Sequence, residues 1–362
     1  MAYKVCIVDT GSWSKLTDIE PLSGSWARAL NTGRSGSMTL KAGDDGSLGP
    51  VIRSTTWPLE TLVVVESASR IEFAGFVTTT KYAWKTKQVT LSLNDIWWIF
   101  GKRFLLDNRT SSLTQSQLDF DNVDSRTLAK RAIEFGTNED SFPDYYLPIV
   151  LPPDASGTIK RTVYGYDMET IQDLLDEAMN AEGGVDLDFR PRWAADGTLE
   201  WVMETNANKT RFIEWDLDAD EHNVTDFDFT IEGQGIGNIV YGLGEGSEVD
   251  MKVHAAKTPD SVYLALERTV SFKDVKDADA LRRRTLGEMV PTNGAIRQIS
   301  MRINGEDRPN VGDLYLGSTV RWKADDDPWL LAGWSGEWEL LEYSGSMTDS
   351  ELKLEFQGRE GD

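Results

Sequence analysis

Cysteine is almost missing from this chain. Among 362 residues only Cys6 carries a thiol, inside the apolar run Val5-Cys6-Ile7-Val8. No disulfide can form within the chain, so Cys6 is expected as a small buried hydrophobe in a protein made in a reducing cytoplasm. Histidine is nearly as scarce, with only His222 and His254. No zinc constellation can be assembled from Cys and His alone. A Ser-His-Asp site would have to use one of these two, and neither stands in a nucleophile context. Basic residues are outnumbered, 37 Lys and Arg against 60 Asp and Glu, for a net charge of −23. That argues against a protein that grips nucleic acid through its phosphates, and against an anionic membrane surface as partner. Long apolar runs are missing too, so no membrane anchor is expected. The segment Met1 to Val8 is too short for a signal peptide and lacks its basic start and cleavage site.

What is present is apolar enough, at 40%, to build packed cores, and the length suits about two to four domains. Thirteen Trp is a high count, and Trp201, Trp215, Trp322 and Trp338 stand at strand-like places. The most informative stretch is Ile71-Glu72-Phe73-Ala74-Gly75-Phe76-Val77 with its return arm Val89-Thr90-Leu91-Ser92-Leu93. Apolar and polar residues alternate on both arms, the period of half-buried strands. The link from Thr78 to Gln88 carries Lys81, Lys85 and Lys87 and reads as a solvated turn.

Near the other end the pattern returns. Leu331-Ala332-Gly333-Trp334 repeats the Ala-Gly-aromatic step of Ala74-Gly75-Phe76, and Leu352-Lys353-Leu354-Glu355-Phe356 repeats the return arm. Leu62 to Val65 precedes the first copy as Thr319 to Trp322 precedes the second. Glycine inside a strand marks a bulge or a sharp bend of the kind barrel corners need. The expectation is a mainly β protein: two similar small β-barrel domains, residues 1–105 and 236–362, flanking an α+β insert at 106–235. The first is read as about six strands without helix, the last as a barrel with a short helix. In the insert, residues 124–136 and 167–180 read as helices ending at glycine, the second with an apolar stripe at 168, 171, 174, 175 and 178. Residues 185–189 and 199–203 read as a hairpin about Asp196-Gly197. Further on, Ile239 to Leu243 and Val262 to Leu266 read as strands and Asp277 to Met289 as a basic helix.

Chemistry is not advertised. The glycines from 233 onward miss the dinucleotide pattern, since Asn238 stands where glycine is needed and the next segment is β-like; they read as turn glycines. Asp216-Leu217-Asp218-Ala219-Asp220-Glu221 opens like a calcium loop but has Glu221 at its sixth position and Phe227 at its twelfth, so a solvated acidic turn is the better reading. No carboxylate pair stands out for a glycosidase. No catalytic residue, metal ligand or cofactor is assigned. Ile96-Trp97-Trp98-Ile99-Phe100 is the strongest apolar run. Trp97, Trp98 and Phe100 are either core or a candidate subunit contact, with core favoured.

Three stretches together resemble the tail-hub proteins of tailed bacteriophages. They are Trp26 to Leu40, with Leu30-Asn31 and a glycine turn before a strand; Phe73 to Phe76 with its return arm, Asp95 and the aromatic exit; and Gly312-Asp313, Val320, Ala332-Gly333 and the closing arm. The resemblance spans most of the chain and is nearest to the short minor tail proteins that stop after the second barrel. It implies a structural virion protein of the tail tip, or baseplate, assembled in the host bacterial cytoplasm. It implies a homotrimer in which three copies of two barrels make a pseudo-sixfold face. Its partners by that resemblance are a distal tail protein or tail tube ring, the tape measure protein, and receptor-binding or fibre proteins. DNA passes through without being held, which suits the negative charge. The competing reading is a β-rich carbohydrate-binding module or glycosidase, suggested by the Trp count and the acidity.

Overall fold

The computed structural model describes residues 3–43, 49–107, 112–137, 143–180, 184–206, 209–259, 261–273, 275–289, 292, 295–330 and 333–358. It is mainly β, with several sheets and a few helices. The first strands are β1 (Lys4–Asp9), β2 (Lys15–Asp18), β3 (Ser23–Ala29), β4 (Ser35–Lys41), β5 (Thr61–Glu66), β6 (Ile71–Ala83) and β7 (Gln88–Asn94). The alternation read in Val89 to Leu93 is real: these apolar residues are buried and the residues between them exposed. Two short helices, α1 (Gly49–Thr55) and α2 (Trp97–Phe100), correct the expectation of an all-strand segment. In α2 the Asp95 carboxylate accepts the Trp97 N–H at 3.1 Å, and Trp97 and Phe100, three apart, share the buried face.

The insert holds β8 (Gln117–Val123), α3 (Ser125–Gly136), β9 (Ile149–Val150), β10 (Ser156–Tyr164), α4 (Ile171–Asn180), β11 (Leu187–Trp193) and β12 (Leu199–Thr205). Asp124 caps α3 by accepting the Thr127 N–H at 2.7 Å. The other helix starts later than its stripe suggested. Thr170 and Asp173 cap it reciprocally, the Thr170 hydroxyl accepting from Asp173 N–H at 3.1 Å and the Asp173 carboxylate from Thr170 N–H at 2.7 Å. Met168 therefore lies outside it, in a left-handed turn at φ 50°, and is exposed. Ile171, Leu174, Leu175 and Ala178 keep the buried stripe. They join Val8, Leu62, Phe76 and Trp201 in one core that the insert shares with the first strands.

The remainder comprises β13 (Phe212–Asp216), β14 (Val224–Glu232), β15 (Ile239–Leu243), β16 (Val253–Lys257), β17 (Glu267–Ser271), α5 (Ala278–Met289), β18 (Ile296–Asn304), β19 (Thr319–Lys323), β20 (Trp338–Ser346) and β21 (Glu351–Gly358). The chain divides into two compact units. One is Met1–Met179 with Gly183–Phe227 and Ser300–Asp362; the other is Asn180–Glu182 with Asp228–Ile299. In the second unit β15 pairs antiparallel with β16 and parallel with β17, and Val240, Ala256 and Met289 of α5 form a small core. The strand expected at Val262 to Leu266 is instead irregular chain. Asn238, buried, donates to the Leu264 carbonyl at 2.8 Å and accepts the Leu266 N–H at 2.8 Å, and that segment's backbone is satisfied by a side chain rather than by a ladder.

The main sheet runs in the order β14-β18-β21-β20-β3-β4-β7-β6-β5-β1-β2, with β19 joining β20 and β13 joining β19. Hidden in it are two runs of six neighbours: β3-β4-β7-β6-β5-β1, and β14-β18-β21-β20-β19-β13. Each contains the same meander, β5-β6-β7 or β19-β20-β21, and each long hairpin strand carries one extra residue, Thr78 in β6 and Leu341 in β20. The runs differ at the last strand, where β1 pairs antiparallel with β5 but β13 pairs parallel with β19. Among the described residues no ladder closes either run on itself. The boundary drawn at 235/236 falls between β14 and β15. The second run takes β13 and β14 from before it, and β15 to β17 make a sheet of their own. Alternation in a sequence reports a strand but not its neighbour.

Candidate functional site

Where the two runs meet, β3 pairs with β20, Ala29 opposite Glu342 and Ser25 opposite Ser346. A buried polar cluster is assembled at this seam from distant parts of the chain. Arg28 of β3 donates from Nη2 to both oxygens of Asp188 in β11, at 2.8 and 2.7 Å, and from Nη1 to the Tyr343 hydroxyl at 3.0 Å. Arg70 donates from Nε to both oxygens of Glu72 at 3.1 Å, and from Nη2 to the carbonyls of Val311, at 2.8 Å, and Leu314. The Tyr343 hydroxyl donates to Glu72 at 3.3 Å, joining the two halves. Burial alone would lower Arg28, but the fields of Asp188 and Tyr343 carry it above the ordinary arginine range. Burial pushes the Tyr343 phenol up, against the pull of Arg28 and Arg70. Both cations stay charged and paired, and the cluster fastens first run, insert and second run together. None of these five residues was singled out by sequence reasoning. Local pattern does not signal them: Arg70 lies in the turn before β6, and Asp188 stands at a regular polar position of an alternating stretch.

The turn at Leu30-Asn31 does the neighbouring work. Asn31, left-handed at φ 62°, accepts the Leu187 N–H on its side chain at 2.7 Å and donates to Asp186 at 3.0 Å. Asp95 accepts the Arg34 N–H at 2.6 Å and the Trp97 N–H at 3.1 Å. Burial raises its carboxyl to about 7, against the pull of these two N–H groups. Arg28, Asp95, Trp97, Asp188, Phe189 and Trp201 line a cavity here of about 20 Å³, room for about one water and far below a substrate pocket.

The structure separates the two Ala-Gly steps. Ala74, Gly75 and Phe76 sit mid-ladder in β6, buried, and Gly75 lies under the Phe73 ring, so close that a Cβ would come within 2.5 Å of it. Gly75 and Trp338 each lie three residues before the extra residue of their strand, and each faces a valine, Val63 and Val320. Trp338 is therefore the register counterpart of Gly75, and Gly333 lies five residues short of it. Gly333 is in a turn at φ 89°, with open space where a Cβ would be. Ala332 lies outside the described residues. Trp334 is exposed beneath the Arg321 guanidinium, 4.8 Å from its ring centre, and bridges Lys323. The return arms Val89 to Leu93 and Leu352 to Phe356 do match, each five residues beginning eleven after its extra residue.

Of the aromatic exit, Trp97 and Phe100 are core, edge-on to Phe189 with ring centres at 5.2 and 4.9 Å. Only Trp98 reaches the surface in part, with the Lys102 ammonium 5.7 Å from its ring centre. The acidic turn at Asp216 to Glu221 is occupied by the protein itself. Asp218 accepts the N–H groups of Asp325, at 2.7 Å, and Asp326, and the Lys323 ammonium stands 3.5 Å away.

Comparison of the whole fold with solved structures finds the tail protein of Neisseria meningitidis MC58 at TM-score 0.59, 15% identity, covering 99% of this chain and 97% of that one. It finds the tail protein of the MuSo2 prophage from Shewanella oneidensis at TM-score 0.63 and 14% identity, covering 98% of each. The chain has the fold of these phage tail proteins. A prophage tail protein from Listeria monocytogenes shares it at TM-score 0.51 and 12% identity, over 99% of this chain and 95% of that one. No protein-family model and no curated protein sequence matches the chain. The likeness to the Neisseria and Shewanella proteins covers 98–99% of this chain and 97–98% of those two.

Proposed function

We propose that this chain is a structural protein of a phage tail, a hub at the tail tip. Three copies form a ring in which each run of strands is the wall of one small barrel, residues 1–105 supplying the first and residues 212–232 and 296–358 most of the second. Six similar modules then face a sixfold tail tube while the other face keeps threefold order for tip components, and the ring encloses the DNA exit. The tail tube ring or distal tail protein, the tape measure and the receptor-binding proteins are its partners in this reading. The protein acts by assembly, without catalysis or cofactor, and Trp98 is its candidate subunit contact from the aromatic exit. A single observation carries the proposal: the repeated order of six strands, joined edge to edge through β3 and β20, in a fold shared end to end with tail proteins. Light scattering with negative-stain microscopy tests it. The expected result is a trimer whose projection down the axis has six lobes. A monomer that binds glycans would replace this reading with the carbohydrate-binding one.

A further inference from the structure

The two runs meet through only half of the contacts their symmetry allows. β3 and β14 hold the same place in their runs, as do β6 and β20. Within the chain β3 of the first run lies along residues 342–346 of β20 in the second. The counterpart contact, β14 against residues 79–83 of β6, is not made. β14 ends the sheet order, and residues 79–83 pair with β7 on one side and, among the described residues, with no strand on the other. The consequence is visible in burial. On the satisfied hairpin Tyr343 is 0% and Met347 1% exposed; on the open one residues 79–86 are all exposed, Trp84 at 72% and Tyr82 at 51%. Trp57, another exposed aromatic, is held beside this edge because Thr80 Oγ1 donates to the Thr56 carbonyl at 2.6 Å.

We propose that β14 of one copy adds to the open edge of β6 in a second copy, repeating between chains the contact that β3 and β20 make within one. This rests on the threefold reading above and names the surfaces that build it. Charge favours the pairing. In a chain of net charge −23, Lys81, Lys85 and Lys87 are concentrated on the open hairpin, while β14 carries Asp226, Asp228 and Glu232. Each copy offers one donor edge and one acceptor edge, a heterologous contact that generates a ring where the rotation closes. Main-chain hydrogen bonds supply the affinity and the lysines and acids set the register. An unpaired edge of this kind is otherwise a template for aggregation, and lysines on it would serve only to blunt it; that is the reading the test must separate.

The test measures the mass of the full chain by light scattering over a dilution series. The variants are Lys81→Glu with Lys85→Glu, Asp228→Lys with Glu232→Lys, and all four together; every one of these positions is exposed. Circular dichroism reports folding. Either one-sided variant is expected to raise the trimer dissociation constant by about tenfold or more, and the four-fold variant to restore it toward wild type. Restoration is a result that misfolding cannot produce. If the wild type is a trimer and both one-sided variants keep its dissociation constant, the edge assignment falls while the hub reading stands. A four-fold variant that stays as weak as either parent also overturns the assignment. A wild type that is monomeric throughout overturns edge and trimer together.

Discussion

Arg28 and Asp188 are 160 positions apart in the chain, and nothing in their neighbourhoods pairs them. Their bidentate contact is almost fully buried. Replacing Asp188 by Ala leaves a guanidinium in the core without its carboxylate, and is expected to cost about 3–5 kcal/mol in urea unfolding. Replacing both partners, Arg28→Met with Asp188→Leu, is expected to cost clearly less, because no buried charge is stranded. Equal losses for the single and double variants would show that the pair does not act as a charge pair. Asp95 gives a pH signature of opposite sense to an ordinary paired carboxylate. Its folded pKa of about 7 lies above its ordinary 3.8, so the native state holds the proton more tightly. The stability it contributes is full below about 4 and is lost as pH rises through about 7. Melting temperature should therefore fall across that window, and Asp95→Asn should flatten the slope. Asp188 lay in an alternating stretch that reads as outward polar positions, but in the fold it is buried against Arg28 of β3. The Leu30-Asn31 turn and Asp95 were visible as motifs, but not their shared task of docking β11 and α2.

At the scale of elements, strands and helices followed from local pattern. Alternation located β7, and a capping aspartate located α3; in β6, where half-buried alternation was expected, Ile71 to Val77 are buried on both faces. Register did not follow. Matching Ala74-Gly75 to Ala332-Gly333 slips the second hairpin by five residues, because the connection between β19 and β20 is longer than that between β5 and β6. The two glycines consequently serve different ends, and substitution should show it. Gly75→Ala drives a methyl into the Phe73 ring and is expected to cost about 1–3 kcal/mol by overpacking, partly recovered by Phe73→Leu. Gly333→Ala meets no atom and should cost about 1–2 kcal/mol through its left-handed backbone alone, with no rescue from a neighbour. Chemical denaturation of Gly75→Ala and Gly333→Ala, each with and without Phe73→Leu, settles it; rescue of both or of neither would refute the assignment. The same scale explains the misplaced strand at Val262 to Leu266, where a buried Asn238 takes the hydrogen bonds a ladder would have used.

For the whole molecule, stability is unevenly distributed. The unit Asp228–Ile299 rests on Val240, Ala256 and Met289, while in the other unit Leu62 to Val65 of β5 are wholly buried and Leu62 and Val64 belong to an extended core. Amides of β15 are expected to lose hydrogen-exchange protection at lower urea than those of β5. A single transition shared by both strands would show the chain to unfold as one. Assembly belongs to this scale too. One edge pairing is spent inside the chain and one is left open, and that imbalance appears only when the two runs are laid over each other.

The sequence by itself determined the class of the protein: mainly β, acidic, with a single cysteine and so no disulfide within the chain, and with similar hairpins near its two ends. Composition and period are local quantities, and locally they suffice. Which strands become neighbours, which charges are drawn into the seam, and which hairpin keeps a bare edge were decided only by the tertiary structure. Hydrogen-bond ladders and desolvation act between residues brought together in space, and alternation along a strand is equally compatible with any partner that presents an apolar face.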